Sequence, residues 1–212
     1  MTTKRVLTRE EEIVNSVSHA VGLGLAIAAL VLLIVFAVLY GNIWHVVSFS
    51  IFGASLVILY LSSTLYHAFA GGKIKQIFRI IDHSAIFVLI AGTYTPITLT
   101  LLRDTVGWTI FAIVWGIALF GIVMKAFFIE KFEVLSVVLY VVMGWVIVVA
   151  VNPLLDSINT TSLVFLLLGG FLYMSGIVFY AWQKKYHHAV WHFFVIGGSV
   201  CHFFTILYIL PK

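Results

Sequence analysis

Seven long apolar runs dominate the sequence and limit what it can fold into. Each run is close to the roughly 20 residues that a helix needs to cross a lipid bilayer. They lie at about 17–39, 44–66, 80–101, 106–126, 133–152, 160–182 and 189–210. Charged or turn-forming residues separate them at Gly41-Asn42, Gly71-Gly72, Arg103-Asp104, Glu130-Lys131, Asn152-Pro153 and from Lys184 to His188. The pattern predicts an all-α polytopic membrane protein with seven transmembrane helices.

Composition excludes a water-soluble fold. Hydrophobic residues make up 63% of the chain and charged residues 9%, against about 45–50% apolar residues in an ordinary soluble domain. The seven spans use almost the whole chain, so we expect a single transmembrane domain over residues 1–212, with a short cytoplasmic segment at 1–16. Cys201 is the only cysteine, which excludes an internal disulfide framework.

The basic residues are distributed unevenly between the two ends of the spans. Ten of the 12 fall on the side of the N terminus, and only Arg103 and Lys212 fall on the other. The ten are Lys4, Arg5, Arg9, Lys73, Lys75, Arg79, Lys125, Lys131, Lys184 and Lys185. Positive charge in short loops favours the cytoplasm, so we expect a cytoplasmic N terminus in the plasma membrane. The charges are too dispersed for a nucleic-acid surface; we expect membrane lipids as partners, with neither nucleic acid nor a soluble protein partner.

Polar side chains at membrane depth are costly and normally face a protein interior or a water-filled cavity. In this chain they cluster at the ends of spans on the N-terminal side. They are Glu12, Asn15 and His19 at the start of the first helix, His67 at the end of the second, Asp82 and His83 at the start of the third, and His187, His188 and His192 at the start of the seventh. Residues far apart in sequence are therefore expected to share one depth.

Three of these histidines form a candidate metal site. His188 and His192 are four residues apart, so they lie on one helical face with Cβ atoms about 5–6 Å apart. His67 is the best third ligand because it lies at the same depth. Imidazole suits Zn²⁺, and catalytic zinc sites usually have three protein ligands. The alternative is that the His188 and His192 pair only caps a helix start or lies at the membrane interface.

Two further residues would complete a catalytic site. Ser63 lies one helical turn before His67 and can hold a histidine ring or a water molecule. Asp82 supplies a carboxylate that can orient or deprotonate a metal-activated water. We interpret His83 as a neighbour of Asp82 without a chemical role.

The remaining polar residues have a structural interpretation. Glu12, Asn15 and His19 share one face of the first helix, where they can form a polar network at the helix start. His202 lies about 15 Å beyond His192 along the same helix, too far to share an ion. We expect His202 to make a hydrogen bond inside the bundle, with Ser199 as a possible partner. Thr93, Tyr94, Thr95 and Pro96 mark an expected kink in the third helix.

Taken together, these motifs resemble the hemolysin III-like branch of the progestin and adipoQ receptor family. The residues that carry the resemblance are Glu12-x-x-Asn15-x-x-x-His19, Ser63-x-x-x-His67, Asp82, Ala91-Gly-Thr-Tyr-Thr-Pro96, His188-x-x-x-His192 and Gly198-Ser199-x-x-His202-Phe203. The resemblance implies seven helices with a cytoplasmic N terminus and a zinc site near the cytoplasmic face. The family's zinc ligands match His67, His188 and His192, and its nearby serine and aspartate match Ser63 and Asp82.

The resemblance also bears on function. Adiponectin receptors and alkaline ceramidases have a similar design and are linked to ceramide hydrolysis, which implies a zinc-dependent hydrolase of a lipid amide or ester. The extended N-terminal region of the eukaryotic receptors has no counterpart in this sequence, so we expect no hormone binding and a bacterial source. A regulatory sensor of membrane fluidity with a structural zinc ion is the alternative. A cytolytic pore, which the family name suggests, ranks lowest because the helices are typical of a permanently inserted bundle.

Overall fold

A computed structural model describes residues 5–129, 131–182 and 184–211 of the chain. Helices are the only regular elements in these ranges. They are α1 Arg9–Tyr40, α2 Ile43–Ala68, α3 Gly72–Pro96 with a π-helical extension Ile97–Leu101, α4 Thr105–Phe128, α5 Glu133–Trp145, α6 Val151–Ser157, α7 Thr160–Ala181 and α8 His187–Tyr208. A 3₁₀ segment, Val146–Ala150, joins α5 to α6. Lys4, Glu130 and Lys212, which entered the sequence predictions, lie outside the described residues.

Within the described part of the chain, seven helical segments are long and apolar enough to cross a membrane, which confirms the predicted number of spans. The fifth of them, Glu133–Ser157, combines α5, the 3₁₀ segment and α6. The predicted break at Asn152-Pro153 is wrong, because the helix continues to Ser157. Pro153 is the third residue of α6, and a proline in the first turn costs no helical hydrogen bond because N–H groups there have no partner within the helix.

Helix ends extend beyond the apolar runs. The first helix begins at Arg9 rather than at residue 17, so half of the expected N-terminal segment is helical. A capping box starts α1, with Glu11 N donating to Thr8 Oγ1 and Thr8 N donating to Glu11 Oε2. Such caps satisfy backbone groups that a helix start leaves without partners. Hydropathy misses these turns because their side chains are charged.

The expected kink in the third span is a change of helix type. Pro96 lies inside the span, and the π-helical turn Ile97–Leu101 follows it directly. Hydroxyl groups bond to carbonyls four residues back, including Thr95 to Ala91 and Thr98 to Tyr94. Side-chain hydroxyls thus supply hydrogen bonds around the irregular turn, as proline-containing membrane helices require.

Two apolar clusters hold the bundle together. The first lies between α1, α2 and α8 and contains Leu33, Phe52 and Ile206; the second lies between α3, α4 and α5 and contains Phe87 and Met143. α3 contributes to both clusters and so links the two halves. The charged ends of α1, α2, α3 and α8 meet at one end of the first cluster, where the candidate site lies.

Candidate metal centre

The structure brings the three predicted histidines together. His67 is in the last turn of α2, and His188 and His192 are in the first two turns of α8. The ring centroids are 5.1 Å apart for His67 and His188, 5.2 Å for His67 and His192, and 4.7 Å for His188 and His192. One candidate ligand atom from each residue lies within 4.8 Å of the other two. His67 and His192 are buried, and His188 is half-buried.

A carboxylate fixes the orientation of the His67 ring. Its Nδ1 lies 2.6 Å from Glu12 Oε2, and the other oxygen of Glu12 accepts a hydrogen bond of 2.7 Å from Lys75 Nζ. An ionised carboxylate only accepts hydrogen bonds, so His67 carries its proton on Nδ1. The lone pair is therefore on Nε2, which is buried and has no hydrogen-bond partner in the described part of the chain.

A serine fixes the His192 ring in the same way. Ser18 Oγ donates its single proton to Asn15 O at 2.8 Å and lies 3.0 Å from His192 Nδ1. Because that hydroxyl proton is already used, His192 is the donor and holds its proton on Nδ1. Its Nε2 lone pair is also buried and unpartnered among residues 5–129, 131–182 and 184–211.

This arrangement fits a metal ion. A metal-binding histidine coordinates through one ring nitrogen and donates the other N–H to a carboxylate or another oxygen, and that second bond sets the tautomer. His67 and His192 both meet this condition. A tetrahedral zinc ion about 2.1 Å from each nitrogen would bring the three atoms to about 3.4 Å from one another. Side-chain rotations that move the ring nitrogens by about an ångström would therefore bring them to zinc-binding distance.

Asp82 lies beside the cluster rather than within it. It is buried on α3, and its Oδ2 is 3.2 Å from His83 Nδ1. Asp82 and His188 line one small pocket between α3, α4, α5, α7 and α8, together with His83, Lys125, Tyr140 and Tyr180. His83, interpreted from sequence as a bystander, contacts the predicted catalytic carboxylate. Tyr140 Oη holds the backbone of His83 through a 2.8 Å hydrogen bond to its carbonyl.

Asn15 and His19 border the histidine cluster. The His19 ring stacks on His192 with centroids 3.4 Å apart and meets the Tyr60 ring edge-on at 5.1 Å. The side-chain amide of Asn15 and both ring nitrogens of His19 are buried and lack partners in the ranges that the structure covers. Ser63 is likewise buried, one turn before His67. The first turns of α1 therefore place polar groups directly against the candidate metal ligands.

His202 lies deeper in the bundle and does not bond to Ser199. Ser199 Oγ instead accepts from Tyr60 Oη at 2.7 Å and contacts Tyr173 Oη at 2.9 Å. His202 Nε2 lies 3.4 Å from Leu166 O. Two tyrosines from neighbouring helices occupy the serine hydroxyl. The hydrogen bond between His202 and Ser199 that the sequence spacing suggested is therefore not formed.

Sequence reasoning missed several residues at this centre. Ser18, Lys125, Tyr140 and Tyr180 were not predicted, although Ser18 follows Asn15 by three residues on the same helical face. Lys125 was counted only as a loop charge, yet it is fully buried at the end of α4. A search for polar residues at helical spacing from Asn15 would have found Ser18, whereas nothing local identifies the two tyrosines.

Comparison with known proteins agrees with this architecture. A family model described as haemolysin-III related matches residues 7–203. The chain belongs to the haemolysin-III-related family. The match includes all three clustered histidines as well as Glu12, Ser18 and Asp82.

Several relatives support the assignment to the haemolysin-III-related family. The chain is 51% identical over 208 residues to "Hemolysin-3 homolog" of Bacillus subtilis (strain 168), covering 98% of each protein. It is 46% identical to "Hemolysin-3" of Bacillus cereus, covering 95% of this chain and 93% of the relative. Human "Monocyte to macrophage differentiation factor" is 28% identical, covering 77% and 70%. No solved structure gives a significant match.

Proposed function

We propose that this protein is a zinc-dependent hydrolase embedded in the membrane, acting on a lipid amide or ester. The observation that supports this most strongly is the pair of buried Nε2 lone pairs on His67 and His192, which lack protein partners within the described residues. A buried polar atom without a partner is costly, and a bound ion explains it. His67, His188 and His192 would hold the ion, which when bound activates water and polarises a carbonyl group.

Asp82 is the proposed general base. His83 Nδ1 contacts its Oδ2 and leaves Oδ1 to take the proton from the attacking water. The carboxylate then returns that proton to the leaving amine or alcohol, as acid–base catalysis requires. Ser63 supports the geometry from α2, one turn from His67.

The pocket beside His188 is small, about 10 Å³, which is room for one water molecule, and we propose it as the place of the attacking water. Tyr180 and Lys125 are among its lining residues, together with Asp82. Because the helices of the bundle are long and apolar enough to span the bilayer, a membrane lipid can approach the cluster without leaving the membrane. This is the reason to favour a lipid over a water-soluble substrate.

The deciding experiment compares two neighbouring histidines. Purified wild-type protein loaded with Zn²⁺ should release fatty acid from ceramide or from phospholipid esters, and His188→Ala should abolish release without unfolding the protein. His187→Ala is the matched control, since His187 packs against Phe179 and Trp182 instead of the cluster. Equal rates in wild type and His188→Ala would end the proposal.

A structural zinc ion in a membrane-fluidity sensor is the second candidate. It is supported by the fact that the three histidines come from two helices, α2 and α8, so that an ion would tie them together. Asp82→Ala distinguishes the two functions. The variant should keep zinc in either case, and it should lose hydrolysis only if the protein is an enzyme. Normal membrane composition and fluidity in cells with this variant would favour sensing.

A cytolytic pore ranks third. Its support is the word hemolysin in the names of two Bacillus relatives. Dye release from proteoliposomes at low protein density would favour it over the other two functions.

The charge distribution and the relatives also support a cellular location for the protein. We propose the plasma membrane of a bacterium, with the N terminus and the metal centre on the cytoplasmic side and membrane lipids as partners. The distribution of Lys and Arg supports this orientation, and the Bacillus relatives support the source.

A further inference from the structure

The turn before α8 has an unusual backbone conformation. Tyr186 has φ 64° and ψ 0°, and it is the only non-glycine residue with positive φ in the described ranges. It is the third residue of a turn that His187 N closes by donating to Lys184 O at 3.2 Å. At this place in a type II turn, positive φ favours glycine. A tyrosine stays in this conformation only when its surroundings hold it there.

Glu11 is the residue that holds it. Its carboxylate is buried, and Oε1 accepts a 2.9 Å hydrogen bond from Tyr186 N. Arg5 binds both oxygens of the same carboxylate at 2.8 Å, and Thr8 N donates to Oε2 at 3.0 Å. Three hydrogen bonds thus fix the carboxylate from the N-terminal side, and a fourth connects it to the backbone of Tyr186.

The first turn of α1 therefore contacts both helices that carry the histidine cluster. Glu12 binds His67 on α2, and its neighbour Glu11 binds the residue at the N-terminal cap of α8. His188 follows Tyr186 by two residues. A rotation of the peptide at Tyr186 would turn the first residues of α8 and so displace the His188 ring relative to His67.

We propose that Glu11 is a positioning residue that sets metal affinity by holding Tyr186 in its left-handed conformation and thereby fixing His188. This rests on the proposed metal site of the three histidines, but it requires no catalytic turnover. Glu11 touches neither ion nor substrate. Its effect reaches the site only through the backbone of Tyr186.

The first test measures the Zn²⁺ dissociation constant of purified protein by competition with a chelating dye. Glu11→Ala should weaken binding about 10- to 100-fold, the usual cost of losing a partner that orients a ligand. Glu11→Gln keeps an oxygen for Tyr186 N and should stay close to wild type. Glu10→Ala is the control, because Glu10 is exposed and contacts the side chains of Lys185 and Tyr186, each at 3.4 Å, rather than the backbone of Tyr186. A Glu11→Ala variant that binds Zn²⁺ like wild type would overturn the proposal.

A rescue variant separates positioning from general stabilisation. Glycine adopts positive φ without strain, so Glu11→Ala combined with Tyr186→Gly should regain most of the lost affinity. If the double variant binds no better than Glu11→Ala, Glu11 does not act through Tyr186 and the proposal fails.

Amide hydrogen exchange of the metal-free protein gives an independent measurement. Glu11→Ala should speed exchange at Tyr186 and in the first turn of α8 while the middle of α8 keeps its protection. Unchanged exchange at Tyr186 would overturn the proposal even if the protein took up no zinc. If Glu11→Ala speeds exchange at Tyr186 but the wild-type protein hydrolyses no lipid, only the proposed function is contradicted.

Discussion

At the scale of single residues, the chemistry of the centre depends on which imidazole nitrogen carries a proton. Glu12 and Ser18 decide this for His67 and His192, because each presents an acceptor to Nδ1. Neither residue needs to touch an ion to control its binding. The two acceptors differ in charge, so the His67 contact is the stronger of the two.

Ser18→Ala tests this control. The change removes the acceptor for the His192 N–H while keeping the helix and the three histidines. Zn²⁺ affinity should fall about tenfold, because the ring loses the bond that fixes its tautomer and orientation. A competition titration with a chelating dye measures the effect.

Ser16→Ala is the matched control for that measurement. Ser16 lies on the same helix, and its hydroxyl bonds to Thr64 O, at 3.0 Å, rather than to a histidine. Its affinity should equal that of wild type. The same loss in both variants would mean that α1 packing, and not the His192 contact, sets the affinity.

At the scale of helices, close packing of α1 on α2 holds the polar centre in place. A Cβ at Gly22 would lie 2.6 Å from the ring of Tyr60, which is fully buried and anchored by its hydrogen bond to Ser199. Small residues at helix contacts allow this approach in membranes. Gly24, two residues away on the same helix, has open space around its Cβ position.

Gly22→Ala should therefore destabilise the protein by about 1–3 kcal/mol, the usual cost of overpacking a filled core. Gly24→Ala should be neutral or slightly stabilising, because alanine favours a helix over glycine. Thermal unfolding in detergent compares the two variants. Equal melting temperatures would show that Tyr60 can move aside and that the α1–α2 contact is not tightly packed.

At the scale of the whole molecule, the basic residues predict the orientation of the centre. Arg103 lies in the loop before α4, and Lys184 lies in the loop before α8, at opposite ends of the bundle. The positive-inside tendency predicts Lys184 in the cytoplasm and Arg103 outside.

Cysteine labelling in intact cells checks this orientation. Replacing Cys201 by alanine removes the single native thiol. In that background, Arg103→Cys should react with a maleimide that cannot cross membranes, and Lys184→Cys should react only after the cells are opened. The reverse pattern would place the metal centre on the outer side.

The sequence predicted the number of spans and the clustered histidines, but it did not predict every helix boundary or every hydrogen-bond partner. The fifth span was predicted as one segment ending at residue 152, yet the structure continues through Pro153 to Ser157 after a 3₁₀ turn. Local signals cannot distinguish a proline that ends one helix from a proline in the first turn of the next. The His67, His188 and His192 cluster was predicted because all three lie at the same membrane depth, whereas the partner of His202 was not.

The sequence by itself determined the number of spans and the identity of the clustered histidines. The reason is that bilayer thickness fixes how many apolar residues make a crossing, and the cost of burying polar groups in lipid gathers them at one depth. Only the tertiary structure decided which imidazole nitrogens carry the protons, the hydrogen bond between Glu11 and the backbone of Tyr186, and the partners of Ser199. These depend on contacts such as that between Ser18 and His192, which are 174 residues apart in sequence. The rotation of packed helices about their axes sets such contacts, and no local pattern encodes it.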